Sequence, residues 1–387
     1  NVWWKCERMK RFKTSFIRCL ICGATAALTM QTAAAHGTSS GSAGGGMALL
    51  IFPAAAVLFV LFLVFNHRKK GWTVLVTGGA GYVGSALVPM LLRHGHRVVV
   101  LDLYPNGDDI LKAYQGYEDL REIIGDFKDP STLKRALDGC DAVIHLACIT
   151  GGSACNPAAV SVRTTNLEAF GPLVRTAKSL GVKRFIFAST LHLAPTPVGA
   201  AADVWLTGSL PLEATGEFLE HKVKCEQVLD EERASGFITC TVRAAAVCGV
   251  APSQRLDAGV NALARAGFSD GLVRITDAGR QRVPSIHIED LAAFFLLMLN
   301  QPDARVDGKK CNAGSEILTI LELAETVNAV LGGDLQIDVE PADDTFIYDP
   351  SWEEIGCDFD FQRNHTVADA VRDLVAAFRK GEIVPNP

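Results

Sequence analysis

The sequence predicts an α/β protein with a doubly wound parallel sheet, a smaller C-terminal lobe and one apolar segment ahead of both. Three observations lead there. Short, almost wholly apolar runs alternate with longer amphipathic ones from Thr73 onward, a glycine-rich turn joins the first run to the second, and residues 47–65 carry no charge. Strands buried on both faces read as continuous Val/Ile-rich runs, and the helices between them supply the covering layers. Right-handed crossovers then wind the sheet in both directions.

The strand-like runs are Thr73–Thr77, Arg97–Asp102, Glu122–Gly125, Ala142–Leu146, Arg184–Ser189 and Ile238–Arg243. Between them, Tyr82–Arg93, Ser131–Leu137, Val160–Leu180 and Glu217–Ala234 have helical periodicity. Past Val250 the alternation loosens into helices at Asp290–Asn300, Ile320–Leu331 and Val367–Lys380 with short strands between. This divides the chain into a leader and linker over 1–46, an apolar span over 47–66, a core domain over 71–250 and a lobe over 251–387 that would hold substrate.

Composition narrows the partners. Residues 1–70 carry nine Lys or Arg against Glu7 alone, so the body is acidic within a chain of net charge −6, and nucleic acid is excluded as a partner. The 11 cysteines are scattered singly except for Cys19 and Cys22, and no second pair or histidine cluster at zinc spacing accompanies those two, so no metal is expected. From Met9 a basic start, an apolar stretch and the small residues Ala33–Ala35 have the layout of a targeting leader. Residues 47–65, at a rise of about 1.5 Å each, approach the roughly 30 Å of a bilayer core, which predicts a single-pass transmembrane helix. The cluster His67, Arg68, Lys69, Lys70 puts the body on the cytoplasmic, stromal or matrix side.

The most specific local feature is VLVTGGAGYVGSAL, which sets Thr77, Gly78, Gly81, Tyr82, Val83 and Gly84 between a strand and a helix. Small residues there let backbone amides approach a pyrophosphate, and the helix N-terminus offers its dipole and unpaired donors. The next strand ends in Asp102, placed to accept hydrogen bonds from an adenosine ribose. This is a Rossmann-type arrangement for a dinucleotide, and with no Arg beside Asp102 the carboxylate favours NAD over NADP.

In these motifs the chain from Gly71 to Ile383 resembles the extended short-chain dehydrogenase/reductases, the NAD-dependent epimerase/dehydratase family, whose fingerprint TGxxGxxG is matched by Thr77 to Gly84. The resemblance implies that Asp126, after Gly125, meets adenine and that Leu146 and Ala147, after His145, line the cofactor site. It also implies a proton relay of Ser/Thr, Tyr and Lys. Thr190 stands at the hydroxyl position with Ser189 beside it, and Lys222 and Glu226 match the YxxxK and KxxxE spacings. The Tyr position is then Phe218, which has no titratable group, so the usual acid/base step cannot pass through it.

Two expectations follow. Either the protein is an enzyme that relays its proton through another group, such as His221, His192 or Cys225, or it holds NAD(H) as an accessory or scaffold subunit of a membrane assembly. Lys222 serves both, since its ammonium can also bind the nicotinamide ribose. On the substrate side the resemblance implies that Arg282 binds the diphosphate of a nucleotide sugar and that Asp290 caps the following helix. Arg255 is a second candidate for an anionic substrate group. The ancestral reaction would be transient oxidation of a nucleotide sugar, in a homodimer or within a membrane complex.

Overall fold

The computed structural model describes residues 71–107, 109–150, 162–191, 216–341, 359 and 361–385. By its internal contacts the chain separates into Asn1–Arg68 and Lys69–Pro387, and every described residue lies in the second unit. The leader and the apolar span expected over 47–66 therefore lie outside the described residues, as does His192. Among the described residues no helix is long and apolar enough to cross a membrane.

The expected alternation is present. β1 (Thr73–Thr77), α1 (Tyr82–Arg93), β2 (Arg97–Asp102), β3 (Leu120–Ile124), α2 (Pro130–Leu137) and β4 (Ala142–His145) follow in order. Next come α3 (Phe170–Ser179), β5 (Arg184–Thr190), α4 (Gly216–Glu231) and β6 (Ile238–Ala244). β1 is buried at all five positions, as a strand covered on both faces must be. α2 starts where Asp129 accepts from the amides of Ser131 and Thr132, with Pro130 at the first helical position.

The long helix expected over 160–180 is instead interrupted. A π-type turn, Thr164–Glu168, precedes α3. The wider turn swings Asn166 inward, where its amide brackets the main chain of one residue: Oδ1 accepts from Ile149 N at 2.8 Å and Nδ2 donates to Ile149 O at 2.7 Å. A regular helix sacrifices such a contact, and π-turns commonly occur where a side chain must reach a site.

Seven strands form one parallel sheet in the order β10-β6-β5-β4-β1-β2-β3, in which β10 is Lys309–Ala313. The order reverses between β1 and β4, and a crevice at the C-terminal ends of strands is where such sheets bind ligands. Leu87, Val88 and Leu91 of α1 and Phe294, Phe295 and Met298 of α6 (Ile288–Asn300) pack together on one face. Leu133, Phe170, Val174, Cys225 and Leu229 from α2, α3 and α4 cover the other. Two elements of the 251–387 stretch, α6 and β10, thus return to the main sheet.

The remainder of that stretch is a separate layer. β7 (Ala246–Cys248), β9 (Arg282–His287) and β11 (Glu316–Thr319) form a three-stranded sheet, while β8 (Leu272–Ile275) pairs with β12 (Gln336–Val339). α5 (Gly259–Asp270), α7 (Ile320–Leu331) and α8 (Val367–Arg379) enclose a third core that includes Leu263, Leu323, Val327, Val371 and Leu374. Capping boxes start both α7, at Thr319 and Glu322, and α8, at Thr366 and Asp369.

Candidate functional site

The turn from β1 to α1 is a cradle that side chains would fill. Gly78 has φ +73°, and a Cβ there would lie 2.7 Å from Ala147 N. At Gly84 a Cβ would stand 2.2 Å from Gly78 O and 2.6 Å from Gly79 Cα. Leu146 N donates to Thr77 O at 3.0 Å, which seats Leu146 and Ala147 against the glycine turn. Gly81 begins α1 with no side-chain cap, and the first turn holds no acidic residue. The donors and dipole of that helix end are therefore available to an anion.

Asp102 closes one side of the cradle. Its Oδ2 accepts from Ala80 N at 2.9 Å and its Oδ1 from Tyr104 N at 2.9 Å. A carboxylate accepts about four hydrogen bonds, so two backbone amides leave capacity for ribose hydroxyls. Gly125 N donates to Asp102 O at 2.9 Å, which brings Asp126 to the same edge. There Asp126 Oδ1 accepts from Lys128 N at 2.9 Å, with Lys128 Nζ 3.4 Å from Oδ2.

Behind the cradle, Thr77 Oγ1 and His145 Nδ1 are 2.7 Å apart, and the imidazole lies among Phe127, Phe170, Phe185 and Phe187. Burial, and secondarily the charge of Lys222, lowers the pKa of His145 from 6.5 to about 3. The folded chain therefore keeps a neutral ring that the unfolded chain protonates below about 6.5. Between those two values the unfolded state binds the extra proton, so acidification destabilises the fold, by at most about 1.4 kcal/mol per pH unit. Urea midpoints across this range are expected to show a shallower acid limb in His145→Gln, which keeps a hydrogen-bonding amide and cannot be protonated. Identical limbs would remove His145 from the account.

The residues expected to form the relay converge at the end of β5. Lys222 Nζ, on α4, donates to Ala188 O at 2.8 Å and lies 4.8 Å from the centre of the Phe187 ring and 5.5 Å from that of Phe218. Ser189 and Thr190 follow Ala188, and the buried Ser189 hydroxyl has no hydrogen-bond partner among the described residues. Of the proposed substitutes, His221 is buried on α4. Cys225 is also buried and donates to Asn166 O at 3.2 Å, and its thiol is pushed up to about 12, chiefly by desolvation. A thiol in that range is not a proton relay at neutral pH. Glu226, 3% exposed, receives Arg243 through Nε at 3.0 Å and Nη2 at 2.7 Å, a bidentate pair fixing α4 to β6 one turn beyond Lys222.

Other expected residues divide between cofactor site and lobe. Tyr82 directs its phenol away from the glycine turn, donating to Gly249 O at 2.7 Å and accepting from Asn261 Nδ2 at 2.9 Å. It pins α1 to the lobe, and Val83 packs beside it against the core. Arg255 reaches the loop after β4, with Nη1 3.0 Å from Thr150 Oγ1 and Nε 2.9 Å from Asp257 Oδ1. Arg282 is exposed at the start of β9 opposite Thr319. The other end of that strand, His287, borders Gly249. Six extended residues separate the two by about 16 Å, so Arg282 does not join the cofactor residues.

One expectation is corrected. His287, not Asp290, caps α6, its ring nitrogen accepting from Glu289 N at 3.2 Å. Asp290 lies in the first turn, 1% exposed, and accepts instead from Asn364 N, His365 N and His365 Nδ1 at 2.9–3.2 Å. Its carboxylate ties the residues before α8 onto α6. Asn166, Arg243, Asn261 and Tyr104 were not singled out from the sequence. Each matters through a partner 17 or more residues away, and no local pattern carries that signal.

A dinucleotide fits what is present: a cradle closed to a Cβ at Gly78 and Gly84, a bare helix start, an oriented carboxylate and a buried hydroxyl at the end of β5 with no partner among the described residues. The model of the NAD dependent epimerase/dehydratase family matches residues 74–314. The chain belongs to this family. NAD is the family's cofactor, as the glycine turn and Asp102 require. A UDP-glucose 4-epimerase of Erwinia amylovora is 27% identical over 300 residues, which are 70% of this chain and 87% of that one. A 3-beta-hydroxysteroid dehydrogenase of Mycolicibacterium neoaurum is 29% identical over 185 residues, 46% of this chain, and the match spans only 48% of that relative's length. Among solved structures, a dTDP-glucose 4,6-dehydratase from Bacillus anthracis in complex with NAD superposes with TM-score 0.65 at 17% identity, covering 81% of this chain and 98% of that one. A UDP-N-acetylglucosamine 4-epimerase from Methanobrevibacter ruminantium does so with TM-score 0.63 at 22% identity, covering 81% and 100%. At these identities the superpositions speak for the fold alone.

Proposed function

We propose that this family member is anchored in a membrane by residues 47–65, with its body on the cytoplasmic, stromal or matrix side, and that it binds NAD(H) and acts on a nucleotide sugar by transient hydride transfer. The observation that carries the reading is the placement of the glycine cradle, Asp102, Ser189 and Thr190 at the C-terminal ends of β1, β2 and β5 of one sheet, with Lys222 held on Ala188 O of β5. Bound NAD+ supplies a hydride acceptor. Around it, Gly78, Gly81 and Gly84 admit the pyrophosphate, and Asp102 takes the adenosine ribose. Lys222, held on Ala188 O, is within one helical turn of Phe218 and can bind ribose hydroxyls. The Ser189 and Thr190 hydroxyls orient the reacting alcohol, and Arg255, with Arg282 further out on the lobe, offers guanidinium groups to a diphosphate.

Phe218 supports a second reading. Its ring faces the Lys222 ammonium where the relay needs a phenol, so the chain can retain NAD(H) without turnover as an accessory subunit of a membrane complex. The full chain, expressed in membranes and extracted in mild detergent, separates the two. Recovery with the membrane pellet and NADH binding by fluorescence are expected under both. Turnover of a nucleotide-sugar panel by the unmodified chain selects the enzyme. Activity that arises only in Phe218→Tyr, by about 100-fold or more as for a restored general acid/base, selects the degenerate site. No binding of NADH in any form refutes the proposal, and a chain found only in the soluble fraction refutes the anchor.

A further inference from the structure

Two imidazoles lie face to face between α6 and the residues before α8. His287, at the end of β9, and His365 stack with ring centres 4.4 Å apart and planes 22° from parallel. Their hydrogen bonds make them unequal. His287 is buried, and its Nδ1 accepts from Glu289 N at 3.2 Å, so that nitrogen is closed to a proton while the cap of α6 stands. Its Nε2 has no hydrogen-bond partner among the described residues, and the carboxylate of Asp373 on α8 is 3.8 Å away. His365 has a carboxylate at each nitrogen: Nδ1 lies 2.9 Å from Asp290 Oδ1, and Nε2 lies 3.6 Å from Glu289 Oε2. Two charged rings at this spacing repel each other, so an added proton is held by one ring only, and the hydrogen bonds assign it to His365.

We propose that this pair is a pH-sensitive latch between the lobe and the main sheet, closed while His365 carries the proton and loosened as the proton leaves. The parts it joins belong to different layers, since α6 packs with α1 on one face of the main sheet and α8 lies in the core of the lobe. Asp290 is the fastening: it also accepts from Asn364 N and His365 N. An imidazolium makes the side-chain bond to this buried carboxylate charge-assisted, and a neutral ring leaves it an ordinary one. Asp369 and Asp373, on α8, are the other carboxylates that face the pair. Burial opposes a charge on His365, but the Asp290 hydrogen bond and the charges of Asp290, Glu289 and Asp369 outweigh it and hold the proton above the ordinary 6.5. On His287, burial and then the charge of His365 disfavour a proton, against the weaker pull of Glu289, Asp290 and Asp373. Once the segment lifts off α6, His365 returns to its ordinary value. The proton-linked part of the latch is therefore complete below about 6.5 and is lost as the pH rises through the higher, closed-state value.

The test is amide hydrogen exchange over residues 361–366 of the full chain in mild detergent, where the Asn364 and His365 amides are held by Asp290. Rates are expressed as protection relative to the unfolded segment, so that the intrinsic pH dependence of exchange cancels. Between about pH 6 and about pH 8 the wild-type protection is expected to fall about tenfold, the difference between a charge-assisted and a neutral hydrogen bond. His365→Gln keeps an amide that can donate to Asp290 and cannot be protonated, and its protection is expected to stay within about twofold across the same range. Constant protection in the wild type, or an equal fall in His365→Gln, overturns the proposal. Should that variant fail to fold by circular dichroism, Glu289→Gln carries the test at a side chain 64% exposed. It is expected to lower protection about twofold near pH 6, where His365 is charged, and to leave it unchanged near pH 8. No loss near pH 6, or the same loss at both values, overturns the proposal.

Discussion

Gly84→Ala is expected to weaken NADH binding by on the order of 100-fold or more, measured by fluorescence titration. The added methyl group would sit 2.2 Å from Gly78 O and 2.6 Å from Gly79 Cα. Both obstacles are main chain, so the turn itself must move, and overpacking of that kind costs about 1–3 kcal/mol even before the cradle is misshapen. Gly81 provides the graded comparison, because its nearest obstacle, Gly78 O, is 3.2 Å away, and Gly81→Ala is expected to lose no more than about tenfold. Gly95→Ala separates binding from stability. It meets nothing within 4 Å but has φ +82°, so it should destabilise by about 1–2 kcal/mol and leave NADH affinity intact. Wild-type affinity in Gly84→Ala would show that the dinucleotide does not lie on this turn.

The second large effect is on stability. Arg243→Ala strips the bidentate partner from Glu226, a carboxylate 3% exposed, and leaves it Lys310 Nζ at 3.6 Å. Breaking a buried pair by removing one member costs about 3–5 kcal/mol, and the 27% exposure of the arginine side chain together with the nearby lysine brings the expectation down to about 2–3 kcal/mol. Urea unfolding of the full chain in mild detergent measures it. The contrast is Glu220→Ala on the same helix, whose partner Lys224 is 3.6 Å away with both side chains more than half exposed. An exposed pair of this spacing contributes about 0.3–0.5 kcal/mol. Equal losses in the two variants would mean that Glu226 and Arg243 do not anchor α4, and hence that Lys222 is held by other means.

These expectations draw on parts of the protein that were unequally legible. β1, α1, β2 and the turn between the first two were readable to the residue, because an apolar run, a glycine spacing and a closing aspartate are all local. α7 was equally plain, since its stop lies in Gly332, with φ +112°, and its start in a capping box. The helix before β5 was misjudged because helical periodicity does not register a π-turn, whose cause is the peptide of Ile149, 17 residues upstream. α5 opens after Ala258 with no side-chain cap and so lacks the start signal that marks α2 and α7.

The amino-acid pattern alone determined the doubly wound sheet, the dinucleotide turn and the acidic residue at the end of β2, because each depends on neighbours within one strand–turn–helix unit. It also placed Phe218 one helical turn from Lys222, an interval fixed by the pitch of a helix. Only tertiary structure decided how these pieces act. It brought Lys222 onto Ala188 O, locked Glu226 with Arg243, gave Asp290 to the residues before α8, and set Asp102 against Ala80 N of the glycine turn. The physical reason is common to all four: each contact links positions whose separation is set by strand register and crossover path rather than by local propensity.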